Sequence, residues 1–197
     1  MCTITESLSR FGDKVFSIGG ATGVGKDTVA KALIRKHPSH IIFFPRSTTR
    51  RKRDREIPGI DYHFIDDATF AERERLGYMS GVDEHKGSRY GLDVQLLAQT
   101  VHQIHNGHRI LMIGGISGIE LKSLIPDMTN IFLAASIREI ETRLREREHD
   151  GAVLADRLRW AEEQLKESML FDHTVNNPQQ HPESAVNAIS VIMRLYD

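Results

Sequence analysis

Cysteine is almost missing from this 197-residue chain. Cys2 is the only one, which excludes a disulfide framework and a cysteine zinc site. Net charge is almost missing too. Twenty-six Lys and Arg stand against 27 Asp and Glu, a formal charge of −1, and a dedicated nucleic-acid binder normally shows a positive excess. No apolar run is long enough to cross a bilayer. The longest, such as Ile41-Ile42-Phe43-Phe44 and Ile110-Leu111-Met112-Ile113, have the length of strands. Met1 to Phe11 mixes Glu6 and Arg10 with Ser and Thr and holds no apolar leader, so the chain reads as cytoplasmic, with no membrane partner. No internal repeat and no low-complexity tract is visible. What is there, 40% hydrophobic and 27% charged residues, suffices for one ordinary domain with a real core and small insertions.

The chain opens with a strand pattern, Lys14 to Gly19, that runs into glycines. Asp27 to His37 follows, with Val29, Ala30, Leu33 and Ile34 on one helical face. Strand, glycine turn and helix in that order start a βα unit. Arg109 to Ile113 and Asn130 to Ala134 predict further strands of one parallel sheet. His173 to Asn176 predicts a last strand, and a C-terminal helix carries Ala185, Ile189, Ile192 and Met193. The stretch from about Ser47 to Val94 is richer in charge and interrupted by turns at Pro58-Gly59, Gly77 and Gly87-Ser88, so it reads as an insertion. Ser136 to Met169 is helical and strongly charged, with a break near His149-Asp150-Gly151.

Gly20-Ala21-Thr22-Gly23-Val24-Gly25-Lys26-Asp27 fits the G-x-x-x-x-G-K part of the Walker A loop, after a strand and before a helix. Glycines let backbone N–H groups turn inward to phosphate oxygens, and the helix start aims its positive end at the same place. Lys26 then offsets charge on the β- and γ-phosphates of ATP. Asp27 stands where Ser or Thr normally reaches magnesium, and Thr28 comes next. A carboxylate can serve the ion, directly or through water, or it can cap the helix. Further on, Arg46, Arg50, Arg51, Lys52, Arg53 and Arg55 crowd ten residues, and Arg suits the fixed two-point grip of a phosphate. No aromatic interleaves this cluster, which argues against an RNA-binding stripe.

Ser47-Thr48-Thr49-Arg50-Arg51-Lys52-Arg53, followed by Glu56-Ile57-Pro58-Gly59-Ile60-Asp61-Tyr62-His63-Phe64, resembles the guanylate kinase family. Tyr90-Gly91 is similar to that family's YYG element. Arg143-Leu144-Arg145-Glu146-Arg147 with Arg157-Leu158 resembles its lid, and Phe171-Asp172 through Asn176-Asn177 its segment near the adenine. The resemblance runs from about Val15 to the end. It implies an α/β fold of the P-loop NTPase type, a parallel sheet flanked by helices, with an inserted acceptor-binding subdomain and a helical lid. One domain, 1–197, would divide into core (13–46, 95–142 and 158–197), acceptor subdomain (47–94) and lid (143–157). Carried over by position, Lys26, Arg50, Arg147 and Arg157 would act in catalysis, with Arg143 less firmly assigned. Residues 20–28 and Asn177 would bind ATP. Arg46, Arg50, Arg53, Tyr62 and Tyr90 would hold the acceptor, and Asp27 or Thr28 would meet Mg2+.

The match departs from the family where guanine is read. Arg46 stands at a Ser position and Leu92 follows Tyr90-Gly91. Leu111-Met112-Ile113-Gly114 carries no carboxylate, and the acidic position falls on Gly81 unless a shift brings Asp83 or Glu84 there. Several of these features, with Gly25-Lys26-Asp27-Thr28 and His173-Thr174-Val175-Asn176-Asn177, resemble ribose 1,5-bisphosphate phosphokinase instead. The expected partner is therefore a phosphorylated small molecule, either a nucleoside monophosphate or a ribose bisphosphate. A non-catalytic domain of this type that binds phosphopeptides usually has a damaged loop, and here Gly23, Gly25 and Lys26 stand intact. Two smaller signals read as structure: His102, His105 and His108 as solvated surface, and Trp160 as packing.

Overall fold

The computed structural model describes residues 4–85, 87–102, 108–113, 116–146, 148–179 and 181–195. A short helix α1 (Ile4–Ser9) leads into β1 (Val15–Gly20), and the loop beyond it into α2 (Lys26–Lys36). Then come β2 (Ile41–Phe43), β3 (Ser47–Thr48), β4 (His63–Phe64), α3 (Asp67–Arg75), β5 (Met79–His85) and β6 (Ser88–Asp93). α4 (Val94–Val101), β7 (Arg109–Ile113), α5 (Ile116–Leu121), β8 (Thr129–Ala134) and α6 (Ile137–Arg145) follow. α7 (Gly151–Leu165), β9 (His173–Asn176) and α8 (Pro182–Ile192) complete the order.

Five parallel strands lie in the order β2-β7-β1-β8-β9, so the first strand is central. Every residue of β1 is buried, as a parallel strand covered on both faces should be. Alternation along the strands divides the core into two layers. Phe16, Ile18, Leu111, Ile131, Leu133 and Val175 pack against α2 and α8 through Val29, Leu33, Val186 and Ile189. Val15, Ile110 and Met112 face the other way, against Leu8, Leu97, Val101, Leu121 and Ile125. Two polar residues inside the sheet satisfy each other: the Ser17 hydroxyl donates to Asn130 Oδ1 at 2.5 Å.

The charge-rich stretch forms a second sheet of four strands, in the order β4-β3-β6-β5. β3 pairs parallel with β4 and antiparallel with β6, which pairs antiparallel with β5. Phe70 of α3 is fully buried beneath it, against Gly91. Asp93, at the end of β6, caps α4 by accepting the Leu96 N–H at 2.9 Å and also pairs with Arg73. One buried carboxylate thus ties the second sheet to the helix that covers the first.

The sequence-based strands and helices fall within a residue or two of their observed places, and the helical break before Gly151 is real. It separates α6, closed at its start by a capping box of Ser136 and Glu139, from α7, capped by Asp150. Trp160 corrects the sequence reading, because it is 52% exposed and not packed. The apolar stripe of α7 is Leu154, Leu158, Ala161 and Leu165. At 3.6 residues per turn, Trp160 points more than about 100° away from that stripe. His105 lies outside the described residues, and α4 ends before His102.

Gly20 closes β1 with φ +137°, and a Cβ there would sit 2.3 Å from the carbonyl oxygen of Leu133. Gly151, at the first turn of α7, has open space around it. Gly20→Ala is expected to lower unfolding free energy by at least about 2 kcal/mol. Gly151→Ala should be neutral or stabilise by up to about 1 kcal/mol. Urea denaturation of the two variants checks both.

Candidate active site

The loop between β1 and α2 is shaped from two sides. On its inner side the Lys26 side chain turns back, and Nζ donates to the carbonyls of Gly20 at 2.7 Å and Ala21 at 2.9 Å. Burial lowers the Lys26 ammonium from its usual range to about 8, partly offset by the neighbouring Asp27 carboxylate. On its outer side the loop is tied to distant elements. The Thr22 N–H donates to Gln164 Oε1 of α7 at 2.8 Å. The Val24 carbonyl accepts from Arg143 Nη1 at 3.0 Å and from Asn177 Nδ2 at 2.9 Å. Arg143 Nη2 donates to the Asn177 carbonyl at 2.7 Å. Gly25 is needed here, since with φ +97° a Cβ would meet Asn177 Nδ2 at 2.9 Å.

Beside the loop lies a cavity of about 510 Å³. Lys26 and Asp27 line it from the first turn of α2, and Arg46, Arg50, Arg53, Tyr62 and Tyr90 from the second sheet and its loops. Of the loop residues, Lys26 and Asp27 thus share one space with Arg46, Arg50, Arg53, Tyr62 and Tyr90, whereas residues 20–25 do not line it. Arg50 is held by Glu56 through two hydrogen bonds, Nη1 to Oε2 at 2.9 Å and Nη2 to Oε1 at 2.8 Å. The same carboxylate accepts the Arg53 N–H at 2.8 Å. These contacts hold Glu56 down at about 2, so it is a carboxylate throughout the working range of pH. Arg50 stacks over Tyr62 at 5.3 Å and Phe64 at 5.6 Å. Burial and the nearby Asp27 carboxylate raise the Tyr62 phenol, which keeps its proton and can donate to an anion.

Arg46 enters from the turn before β3. Its Nη2 donates to the Gly81 carbonyl at 2.9 Å and to Asp83 at 3.0 Å, and its guanidinium lies 5.9 Å from the Tyr90 ring centre. Lys31 of α2 reaches across to Asp61 at 3.9 Å, joining the helix to the loop that closes the cavity.

Other sequence-based residues lie elsewhere. Arg157, on α7, pairs with Glu148 at 3.6 Å and does not line the cavity, and Arg147 lies outside the described residues. Thr28 is exposed on the other side of α2. It borders a groove of about 490 Å³ between α2 and α8 that Asn177 also lines. Asp27 alone of the two magnesium candidates faces the cavity. Sequence reasoning gave Glu56 no role and missed Gln164. The first was hidden among five cations, although its place three residues after Arg53 suits a carboxylate that accepts that residue's N–H. The second gave no signal, because its partner is a backbone N–H 142 residues away.

Comparison with known proteins gives one consistent result. The family model described as guanylate kinase matches residues 13–194. Guanylate kinase of Methylobacillus flagellatus is 31% identical over 185 residues, covering 92% of this chain and 90% of that protein. Guanylate kinase of Prochlorococcus marinus is 34% identical over 167 residues, covering 83% and 86%. The crystal structure of guanylate kinase from Anaplasma phagocytophilum superimposes with a TM-score of 0.65 at 23% identity, over 92% of this chain and 83% of that one.

The free Lys26 loses its proton above about pH 8, whereas a bound polyphosphate requires the ammonium. Affinity for a non-hydrolysable ATP analogue should fall by up to about tenfold per pH unit above 8. Calorimetric titration between pH 7 and 9.5 checks this, and Lys26→Met should bind weakly with a flat profile.

Proposed function

The chain belongs to the guanylate kinase family, and on that premise we propose that it transfers the γ-phosphoryl group of ATP to a phosphorylated small molecule, GMP by family. The observation that carries this reading is the shared cavity. Lys26 and Asp27 on one side and Arg46, Arg50, Arg53, Tyr62 and Tyr90 on the other line a single space. Two polyanions repel each other in water, and a site that transfers phosphate between them must supply cations to both at once.

An oxygen of the acceptor phosphate attacks the γ-phosphorus, a new P–O bond forms, and the bond to the bridging oxygen breaks to release ADP. The attacking oxygen is already anionic, so no general base is needed. Lys26 leaves the Gly20 and Ala21 carbonyls to follow the β- and γ-phosphates. Arg50, Arg53 and the protonated Tyr62 fix the acceptor phosphate, while Arg157 and Arg147 bring lid charge. Magnesium fits the residues present. Asp27 supplies one carboxylate at the cavity wall, and the described residues hold no cluster of three acids or histidines that would cage a metal alone. That is the usual situation of an ion held chiefly by substrate phosphates, whose charge it neutralises when bound.

A second reading has its own support. Arg46 projects into the cavity and Ile113 ends β7 on its wall without a carboxylate. An acceptor with two phosphates and no base, ribose 1,5-bisphosphate, suits an additional arginine. ATP consumption with GMP, dGMP, AMP, CMP, UMP and ribose 1,5-bisphosphate in parallel decides between the two. GMP turnover supports the first reading, and turnover of the sugar bisphosphate alone replaces it with the second.

Two variants test the machinery with whichever acceptor turns over. Lys26→Met should lower kcat by about a thousandfold or more, whereas a phosphopeptide-binding domain would keep its affinity. Glu56→Gln frees Arg50 from its two-point partner, and it should raise the acceptor KM by about tenfold while kcat changes by less than about threefold.

A further inference from the structure

Resting on the phosphoryl-transfer reading above, we propose that Arg51 and Arg55, exposed beside the cavity wall, gather the acceptor by long-range attraction to its phosphate and raise kcat/KM without touching the bound molecule. Both belong to the loop between β3 and β4, which is wound around Glu56. That carboxylate takes Arg50 and the Arg53 N–H, and the Glu56 N–H donates to the Arg53 carbonyl at 3.0 Å. Lys52 Nζ donates to the carbonyls of Arg53 at 3.3 Å and Glu56 at 3.2 Å. Arg50, Arg53 and Glu56 line the cavity. Arg51 and Arg55 do not, and among the described residues neither guanidinium meets an acceptor or an acid.

Covalent geometry keeps these two charges close. Arg51 follows Arg50 and Arg55 precedes Glu56, so each has its Cα about 3.8 Å from that of a residue on the cavity wall. A long side chain then leaves each guanidinium on the order of 10 Å from an anion in the cavity, close to the Debye length at about 0.1 M salt. The sign of the field is local. Residues 50–56 hold five cations and two acids, a charge of +3 on a chain whose formal charge is −1. The remainder of the chain is therefore negative and repels a phosphate dianion that this loop attracts. Arginine keeps its charge at every working pH, so the attraction does not titrate near neutrality. A field that acts before contact raises the local concentration and association rate of an anion, and leaves the chemical step alone. It serves GMP and ribose 1,5-bisphosphate alike, because both arrive as phosphates.

The test measures kcat and kcat/KM, with whichever acceptor turns over, at ionic strengths of about 25 mM and about 0.5 M. The double variant Arg51→Gln, Arg55→Gln should lower kcat/KM by about fivefold or more at low salt and by less than about twofold at high salt. Its kcat should stay within about twofold. Asp54→Asn removes an exposed acid from the same loop and should raise kcat/KM by about twofold at low salt, a gain that damage to the loop would not give. Arg159→Gln with Lys166→Gln, an equal charge change on exposed residues that do not line the cavity, should leave both salt responses as they were. A loss in the double variant that is the same at both salts would overturn the proposal. So would no loss at low salt, an equal loss in the control, or an Asp54→Asn protein without the gain. If neither acceptor is turned over, the phosphoryl-transfer reading falls and this proposal with it. If one is turned over with an unaltered salt response in the double variant, only this proposal falls.

Discussion

A stretch of backbone that must offer its N–H groups to a polyanion cannot spend them on itself, and the rest of this site depends on that constraint. Helices and strands satisfy their backbone internally, but the loop between β1 and α2 does so only in part, through the Val24 N–H to the Ala21 carbonyl at 3.3 Å, so its outward groups need partners from elsewhere. The Thr22 N–H finds Gln164, and the Val24 carbonyl finds Arg143 and Asn177. These partners come from α7, α6 and the residue after β9, so the loop is braced by three elements far from it in the sequence. Lys26 meanwhile rests on two carbonyls of the loop. Those oxygens satisfy the buried ammonium only as neutral dipoles, which is why burial still lowers it and why a phosphate is the better partner.

The second-sheet side of the cavity solves the opposite problem. Arg46, Arg50 and Arg53 lie around one cavity, and bare cations this close would repel one another. Carboxylates relieve the repulsion: Glu56 serves Arg50 and the backbone of Arg53, and Asp83 serves Arg46. The pairing also orients each guanidinium, so the arginines reach an anion already aimed. Glu56 is the more tightly bound of these acids, with both oxygens engaged and its pKa held at about 2. It acts as a fixed part of the cavity and does not titrate near neutral pH.

Much of the architecture was legible in the chain because it rests on local rules. Alternation and apolar runs marked the strands of the parallel sheet, and the glycine loop announced its own position between strand and helix. The cation cluster at 46–55 was legible as well, since six cations crowd one short segment, and of these Arg46, Arg50 and Arg53 line the cavity. The partners of those cations were not, because a carboxylate among many charges carries no mark of which arginine it will meet. Gln164 was harder still, since it acts on a backbone N–H 142 residues away in the chain, and Asn177 was named only through the family resemblance. Trp160 misled for a related reason. Its size suggested packing, but the phase of the α7 stripe, set by four smaller residues, turns it outward.

The Arg46 contacts show how separate sequence features become one arrangement in the fold. In the sequence, Arg46 in place of Ser and Gly81 at an acidic position look unrelated. In the fold they touch: the Gly81 carbonyl accepts from Arg46, and Asp83 two residues on supplies the counter-charge. The pairing of β5 with β6 is irregular between Ser80 and Asp83, and Gly81 there has φ +59°, a backbone shape that a residue with a Cβ rarely takes. The longer side chain at position 46 is thus matched by a strand bent at glycine to receive it. This arrangement turns a backbone carbonyl and one acid toward Arg46 at the cavity wall.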